Sequence, residues 1–203
     1  MKGNYFSIVI PTMWKSNLLE TMINVYDKSE FVKEVIIIDN EPKLSREVLS
    51  WKTRKFTKGK NIFVNPAWNW GAELSNYNLI LANDDIFIPD LDGILKLILD
   101  SNFDIVGLKT GRANGEMDII QVEKFPRNSY GCFMYIKNYI KIPEQLKIWY
   151  GDRILFYHNK KRGLLINSGL STQSGTTINS DRNYFRNKIG KNDIREFAKL
   201  KFE

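Results

Sequence analysis

The stretch NYNLILANDDIFIPD, residues 76–90, sets two adjacent carboxylates, Asp84 and Asp85, between the apolar runs Leu79–Ala82 and Ile86–Ile88. Neighbouring acids repel, and each pays desolvation if buried, so a chain that keeps them at a strand end has a use for the charge. The chemistry that suits them is capture of a divalent cation, which also bridges to phosphate oxygens. The other reading is turn chemistry, since Asn-Asp terminates strands well.

These acids need a frame. NYFSIVIPT (4–12), KEVIIIDNEP (33–42), KNIFVNP (60–66), YNLILANDD (77–85) and FDIVGLKT (103–110) are short Ile/Val/Leu/Phe runs that end in polar residues, Pro or Asn, the pattern of buried parallel strands. Between them, Leu18, Leu19, Met22, Ile23 and Tyr26 form one helical stripe, and Leu91, Ile94, Leu95, Ile98 and Leu99 another; Trp68–Leu74 is a third, shorter helix. Strand and helix in alternation predict an α/β fold built on a mostly parallel open sheet. In such sheets ligands bind beyond the carboxyl ends of the strands. Those ends carry Pro11-Thr12, Asp39-Asn40-Glu41, Asn65 and Asn83-Asp84-Asp85, so the polar groups converge on one edge.

Composition bounds the alternatives. With 203 residues, 43% hydrophobic and 26% charged, the chain suits one globular domain with a real core. Its apolar runs are too short to span a bilayer, and a strand pattern begins almost at once, with no signal-peptide core. The one cysteine, Cys132, excludes an internal disulfide framework and fits a reducing, cytoplasmic setting. A net charge of +7 suits anionic partners such as phosphates, acidic lipid headgroups or nucleic acid, though a modest positive balance is more often plain solubility. Neither a G-x-G-x-x-G turn nor a P-loop follows the first strand, which argues against a dinucleotide enzyme and a P-loop NTPase.

Taken in order, the segments resemble GT-A fold glycosyltransferases, in particular the large inverting group called family 2. SIVIPT resembles the opening strand and EVIIIDN the second strand with its closing aspartate. NPAWNWGAELS resembles the helix start, with Asn69 and Gly71 on its N-x-G, and LILANDDIFIP the D-x-D strand, with Asp84 on the metal-binding aspartate and Asp85 following. Residues 131–166 resemble the acceptor-side stretch, and Asp152 falls on the second member of its acidic pair. Ala82 and Gly151 stand where the family has acids, and Ser171-Thr172-Gln173-Ser174 where some relatives have a histidine. The resemblance divides the chain into a GT-A-like domain over 1–179 (nucleotide-binding half 1–90, acceptor half 91–179) and a basic helical tail over 180–203.

The resemblance implies an enzyme that moves a sugar from a UDP- or dTDP-type nucleotide-diphosphate sugar to a hydroxyl acceptor, with Mn²⁺ or Mg²⁺ as cofactor. Asp84 and Asp85 would hold the metal, Asp39 and Thr12 the nucleoside, and Asn69 the donor. Asp152 would take the acceptor proton as inverting transfer requires. Each residue also has a structural reading: Asp39 as a strand-end cap, Thr12 as a helix cap, Asn69 as helix-start structure, and Asp152 as a helix N-terminal charge. Trp149 and Tyr150 fit either a sugar-stacking wall or core. His158 is assigned no role. The acceptor would be a glycan, a lipid-linked molecule or another hydroxyl compound, not a nucleic acid. In the tail, Ile194, Phe197, Ala198 and Lys201 share a helical face. That face would pack back on the domain, or the basic charge would hold the inner membrane face peripherally. Arg182 and Arg186 would otherwise reach the diphosphate. Two other functions fit less of the chain: a nucleotidyltransferase, whose glycine-rich signature PTMWKSN lacks, and a non-catalytic nucleotide-sugar or glycan binder.

Overall fold

The computed structural model describes residues 3–48, 50–127, 129–173, 181 and 183–200. Its order is β1 (Phe6–Thr12), α1 (Leu18–Lys28), β2 (Val32–Asp39), a 3₁₀ turn (Pro42–Leu44), β3 (Thr53–Thr57), α2 (Val64–Leu74), β4 (Asn78–Ala82), β5 (Ile86–Phe87) and α3 (Leu91–Asp100). There follow β6 (Ile105–Leu108), β7 (Asp118–Gln121), β8 (Phe133–Ile136), α4 (Gly151–His158), β9 (Arg162–Ile166), β10 (Ser171–Thr172), a π-helical segment (Asn183–Gly190) and α5 (Lys191–Lys199).

Eight strands form one sheet in the order β3-β2-β1-β4-β8-β6-β9-β7. The β3-β2-β1-β4 half is parallel throughout. β8 runs antiparallel between β4 and β6, and β7 antiparallel to β9. The sheet is buried on both faces because its central strands carry unbroken apolar runs, Ile8–Ile10, Val35–Ile38 and Leu79–Ala82. Ile8, Ile10, Val35 and Ile37 point into a core with α1 and α3; Val9, Ile36 and Ile38 point into a second core with α2 and α4.

One expected strand is absent. Residues 60–66 are a loop running into the first turn of α2, and β3 is instead the polar Thr53–Thr57 at the sheet edge. An edge strand pairs on one side only and shows no apolar run. The backbone of Phe63 (φ 67°) breaks extension where the sequence looks most strand-like.

Gly71 has a packing reason. A Cβ there would lie 2.1 Å from Val9 Cγ1, so α2 approaches β1 more closely than any side chain allows. Gly71→Ala is expected to cost about 1–3 kcal/mol in urea unfolding, with a less-than-additive loss in the Gly71→Ala/Val9→Ala double variant.

Candidate functional site

At the carboxyl edge of the parallel strands lies a cavity of about 320 Å³. Its lining includes Thr12, Asn40, Asn83, Asp84, Asp85, Gly131, Cys132 and Asp152, with an aromatic side made by Phe63, Trp68, Trp149, Tyr150 and Phe185.

Sheet register brings the first acids in. Val9 sits opposite Leu81, and continuing that register sets Thr12 alongside Asp84. The Thr12 hydroxyl donates to Asp84 Oδ2 at 2.6 Å and accepts from the Trp14 N–H at 2.9 Å. Its only proton is therefore committed to holding Asp84. Burial, then the charge of Asp85, pushes the Asp84 carboxyl up to about 6, against the lowering effect of the Thr12 hydroxyl and backbone N–H groups. The Asp85 carbonyl accepts from the Gln173 N–H at 2.8 Å, tying the acidic turn to the end of β10.

β8 links these acids to Asp152. The Asn83 N–H donates to the Cys132 carbonyl, and Gly131 lies against Asp152: a Cβ at 131 would sit 3.1 Å from Asp152 Oδ2. The Cys132 thiol is pushed up to about 11, by burial first and then by the charges of Asp85 and Asp152, so it stays protonated between two acids. Asp152 opens α4. Its Oδ1 accepts from the Arg153 N–H at 2.9 Å, and burial raises its carboxyl above the ordinary range in spite of that bond and the Arg153 charge.

Gly151 stands in place of an acid for a steric reason. A Cβ there would meet Asn65 Oδ1 at 2.2 Å and Ile142 Cδ1 at 2.9 Å. Asn65, on α2 and not at a strand end, is fully buried and ties to the Trp149 carbonyl through Nδ2 and to the Lys147 carbonyl through its N–H. A longer residue at 151 would dislodge the segment that presents Asp152.

Thr12, Asp84, Asp85 and Asp152 thus meet in one cavity; two other expected site residues do not. Asp39 is buried and does not line the cavity, its Oδ1 accepting from the Glu41 N–H at 3.0 Å, while its neighbour Asn40 lines it and holds the Ile62 N–H. Asn69 bonds the 139–142 segment instead: Nδ2 donates to the Ile142 carbonyl, and Oδ1 accepts from the Ile142 N–H and the Tyr139 hydroxyl, at 2.6–2.8 Å. Its amide is engaged with that segment, in line with the structural one of its two readings, and it does not line this cavity. His158 is exposed at the end of α4. Arg186 is exposed, whereas Phe185 beside it lines the cavity, a residue that nothing in the sequence singles out. Arg182, Ser174 and Lys201 lie outside the described residues.

Among the described residues no three His, Cys, Asp or Glu side chains group as a metal cage. Asp84 and Asp85 nonetheless fit a hard divalent cation. Mg²⁺-type ions take one or two carboxylates and complete their shell with water and substrate phosphates. The Asp84 carboxyl is raised by its burial first and by the neighbouring Asp85 charge second, and a cation would relieve both. Burying that charge has a measurable cost. The folded value of about 6 lies above the ordinary 3.8, so the ionised form is disfavoured in the fold and stability falls as pH rises from about 4 through about 6. Without metal, Asp84→Asn is expected to be more stable than the parent at pH 8, by up to roughly 3 kcal/mol, with the gap closing towards pH 4. Urea unfolding across that range measures it.

No protein-family model and no curated protein matches the chain. Solved structures do. S. aureus TarS 1–349 superposes with TM-score 0.57 at 16% identity, over 81% of this chain and 60% of that one. Its complex with UDP-GlcNAc gives 0.56 and 14%, over 80% and 58%. CMP:2-keto-3-deoxy-manno-octonic acid synthetase complexed with CTP gives 0.54 and 12%, over 91% and 99%. The chain therefore spans about three-fifths of the TarS structure. At these identities the likeness is one of fold, and the fold is the expected GT-A-like α/β one. No helix among the described residues is long and apolar enough to cross a membrane.

Proposed function

We propose that this protein is a glycosyltransferase that moves a sugar from a UDP- or dTDP-type donor to a hydroxyl acceptor, with inversion. The observation that carries the reading is the meeting of Thr12, Asp84, Asp85 and Asp152, from three separate elements, in one cavity at the carboxyl edge of the sheet. Asp84, held by Thr12, and Asp85 would bind Mn²⁺ or Mg²⁺. When bound, the ion supplies positive charge that offsets the acids and the donor diphosphate. Asn40 and the Asn61–Phe63 loop close the nucleoside end, with Asp39 fixing the turn behind them, and the aromatic side faces the sugar.

Asp152 is the base. Its Oδ1 is taken by the Arg153 N–H, which leaves Oδ2, on the Gly131 side, for the acceptor hydroxyl. The acceptor oxygen attacks the anomeric carbon as its proton passes to Oδ2. The bond from that carbon to the diphosphate breaks, and its electron pair leaves with the nucleoside diphosphate. A raised carboxyl is a stronger proton acceptor when ionised than an ordinary one.

The acceptor is a glycan, a lipid-linked molecule or another hydroxyl compound, and peripheral contact of the basic C-terminal segment with an anionic membrane belongs to the same reading. A second reading, nucleotidyl transfer, draws on the 99% of the synthetase chain that superposes. Against it, Met13–Asn17 after β1 offers no glycines to cradle a triphosphate. Product analysis separates the two. Incubation with UDP- and dTDP-sugars and Mn²⁺ is expected to release nucleoside diphosphate by slow hydrolysis even without an acceptor. Pyrophosphate formed from a nucleoside triphosphate and a sugar acid would replace this reading with the second.

A further inference from the structure

Residues 147–149 form no strand, yet they lead directly into Tyr150, Gly151 and Asp152. All three of their backbone N–H groups converge on one carboxylate from the far end of the chain. Lys147 N–H donates to Asp193 Oδ1 at 3.0 Å; the Ile148 and Trp149 N–H groups donate to Oδ2 at 2.8 and 3.0 Å. Asp193 is fully buried in α5. Three convergent N–H groups make an anion nest, and here a side chain of the same molecule fills it.

The opposite side of the segment is held by Asn65, through the Lys147 and Trp149 carbonyls. α5 adds a second hold. Phe197 stacks on Tyr150 with ring centroids 4.3 Å apart and planes 13° from parallel. Tyr150 needs it, because its backbone is left-handed (φ 69°), a conformation that costs about 1 kcal/mol or more outside glycine. Just before α5, Gly190 packs so closely on Trp149 that a Cβ would touch its ring at 3.2 Å.

We propose that Asp193 is a positioning residue for Asp152: with Phe197 it fixes the 147–150 segment, and so the place and solvent access of the catalytic carboxylate two residues further on. The C-terminal helix, which the sequence offers either as packed back on the domain or as a membrane-facing basic tail, is here a working part of the acceptor side. The inference rests on Asp152 acting as the base.

Hydrogen exchange and kinetics on the full chain test it. In Asp193→Asn one carboxylate oxygen becomes an N–H donor facing N–H donors. Exchange of the 147–149 amides is expected to rise about 100-fold or more, the loss of protection extending through 152, with β1, β2 and β4 unchanged. Hydrolysis of UDP-GlcNAc with Mn²⁺, assayed well below the variant's Tm, is expected to lose about 30-fold in kcat with KM within about threefold, and its acid limb to move down in pH as water reaches Asp152. A purely structural role would lower Tm and leave the kcat–KM split and the acid limb where they were. Phe197→Ala is the milder companion should Asp193→Asn not fold, and Phe197→Leu is expected to recover part of the loss. Unchanged exchange at 150–152, or unchanged kcat in both variants, overturns the proposal. If Asp152→Asn itself keeps full turnover, the base assignment fails instead, and the exchange data alone decide whether α5 holds the segment.

Discussion

Asp152→Asn is expected to lower turnover by about 10²–10⁴-fold while nucleotide affinity stays within about threefold of the parent. The substitution keeps the shape of the side chain and an oxygen to accept the Arg153 N–H, so α4 starts as before. What it removes is the oxygen on the Gly131 side that would receive the proton in the proposed reaction. Because the lost interaction is made only as the acceptor attacks, the effect belongs in kcat and not in donor binding. The same assignment fixes the sign of the pH dependence. Burial raises the Asp152 carboxyl, so activity is lost as pH falls through a value above the ordinary carboxylate range. Donor hydrolysis at saturating nucleotide sugar measures both. Full turnover in Asp152→Asn would remove the base from this residue.

Asp84→Ala is expected to abolish cation-dependent nucleotide binding. In the parent, UDP with Mn²⁺ at about 100 times its Kd raises Tm by roughly 5–10 °C, through stabilisation of the native state alone. The variant is expected to show no rise, although without ligand it is at least as stable, since a crowded buried acid has gone. Acidification reproduces the loss reversibly. The carboxyl sits at about 6, and a cation competes with its proton, so affinity weakens about tenfold per pH unit below that value. A thermal-shift series at pH 5 to 8, with and without Mn²⁺, reads the whole effect. Equal UDP stabilisation in Asp84→Ala would show that the nucleotide binds without this acid.

The position of Asp84 and Asp85 at a strand end was legible in the sequence because buried parallel strands announce themselves. Ile8–Ile10, Val35–Ile38 and Leu79–Ala82 leave no doubt about where the strands run, and the first polar residue after each run marks the binding edge. Asp152 was legible only through the order of motifs around it. Three features were not. β3 is a polar edge strand, so the apolar 62–64 run beside it drew the strand assignment to the wrong place. Asn69 has the residue type of a ligand contact, but its hydrogen bonds go to 139–142, some 70 positions away, and no local pattern encodes that. α5 reads as basic and amphipathic, with Ile194 on its apolar face. In the fold Phe197 of that face does pack back, on Tyr150, while Ile194 is 55% exposed and the further hold comes from the acid Asp193. Periodicity tracks apolar burial, and a buried carboxylate satisfied by backbone N–H groups leaves no trace in it.

In the proposed reaction a cation and a donor diphosphate share the place where Asp84, Asp85 and Asp152 meet. Anomalous diffraction from a crystal soaked in Mn²⁺ and UDP tests this most directly. The account predicts a manganese peak at coordination distance from the Asp84 carboxylate, with the diphosphate on its far side in the same cavity. Nucleotide bound elsewhere, or bound in this cavity with no manganese at Asp84, would contradict it.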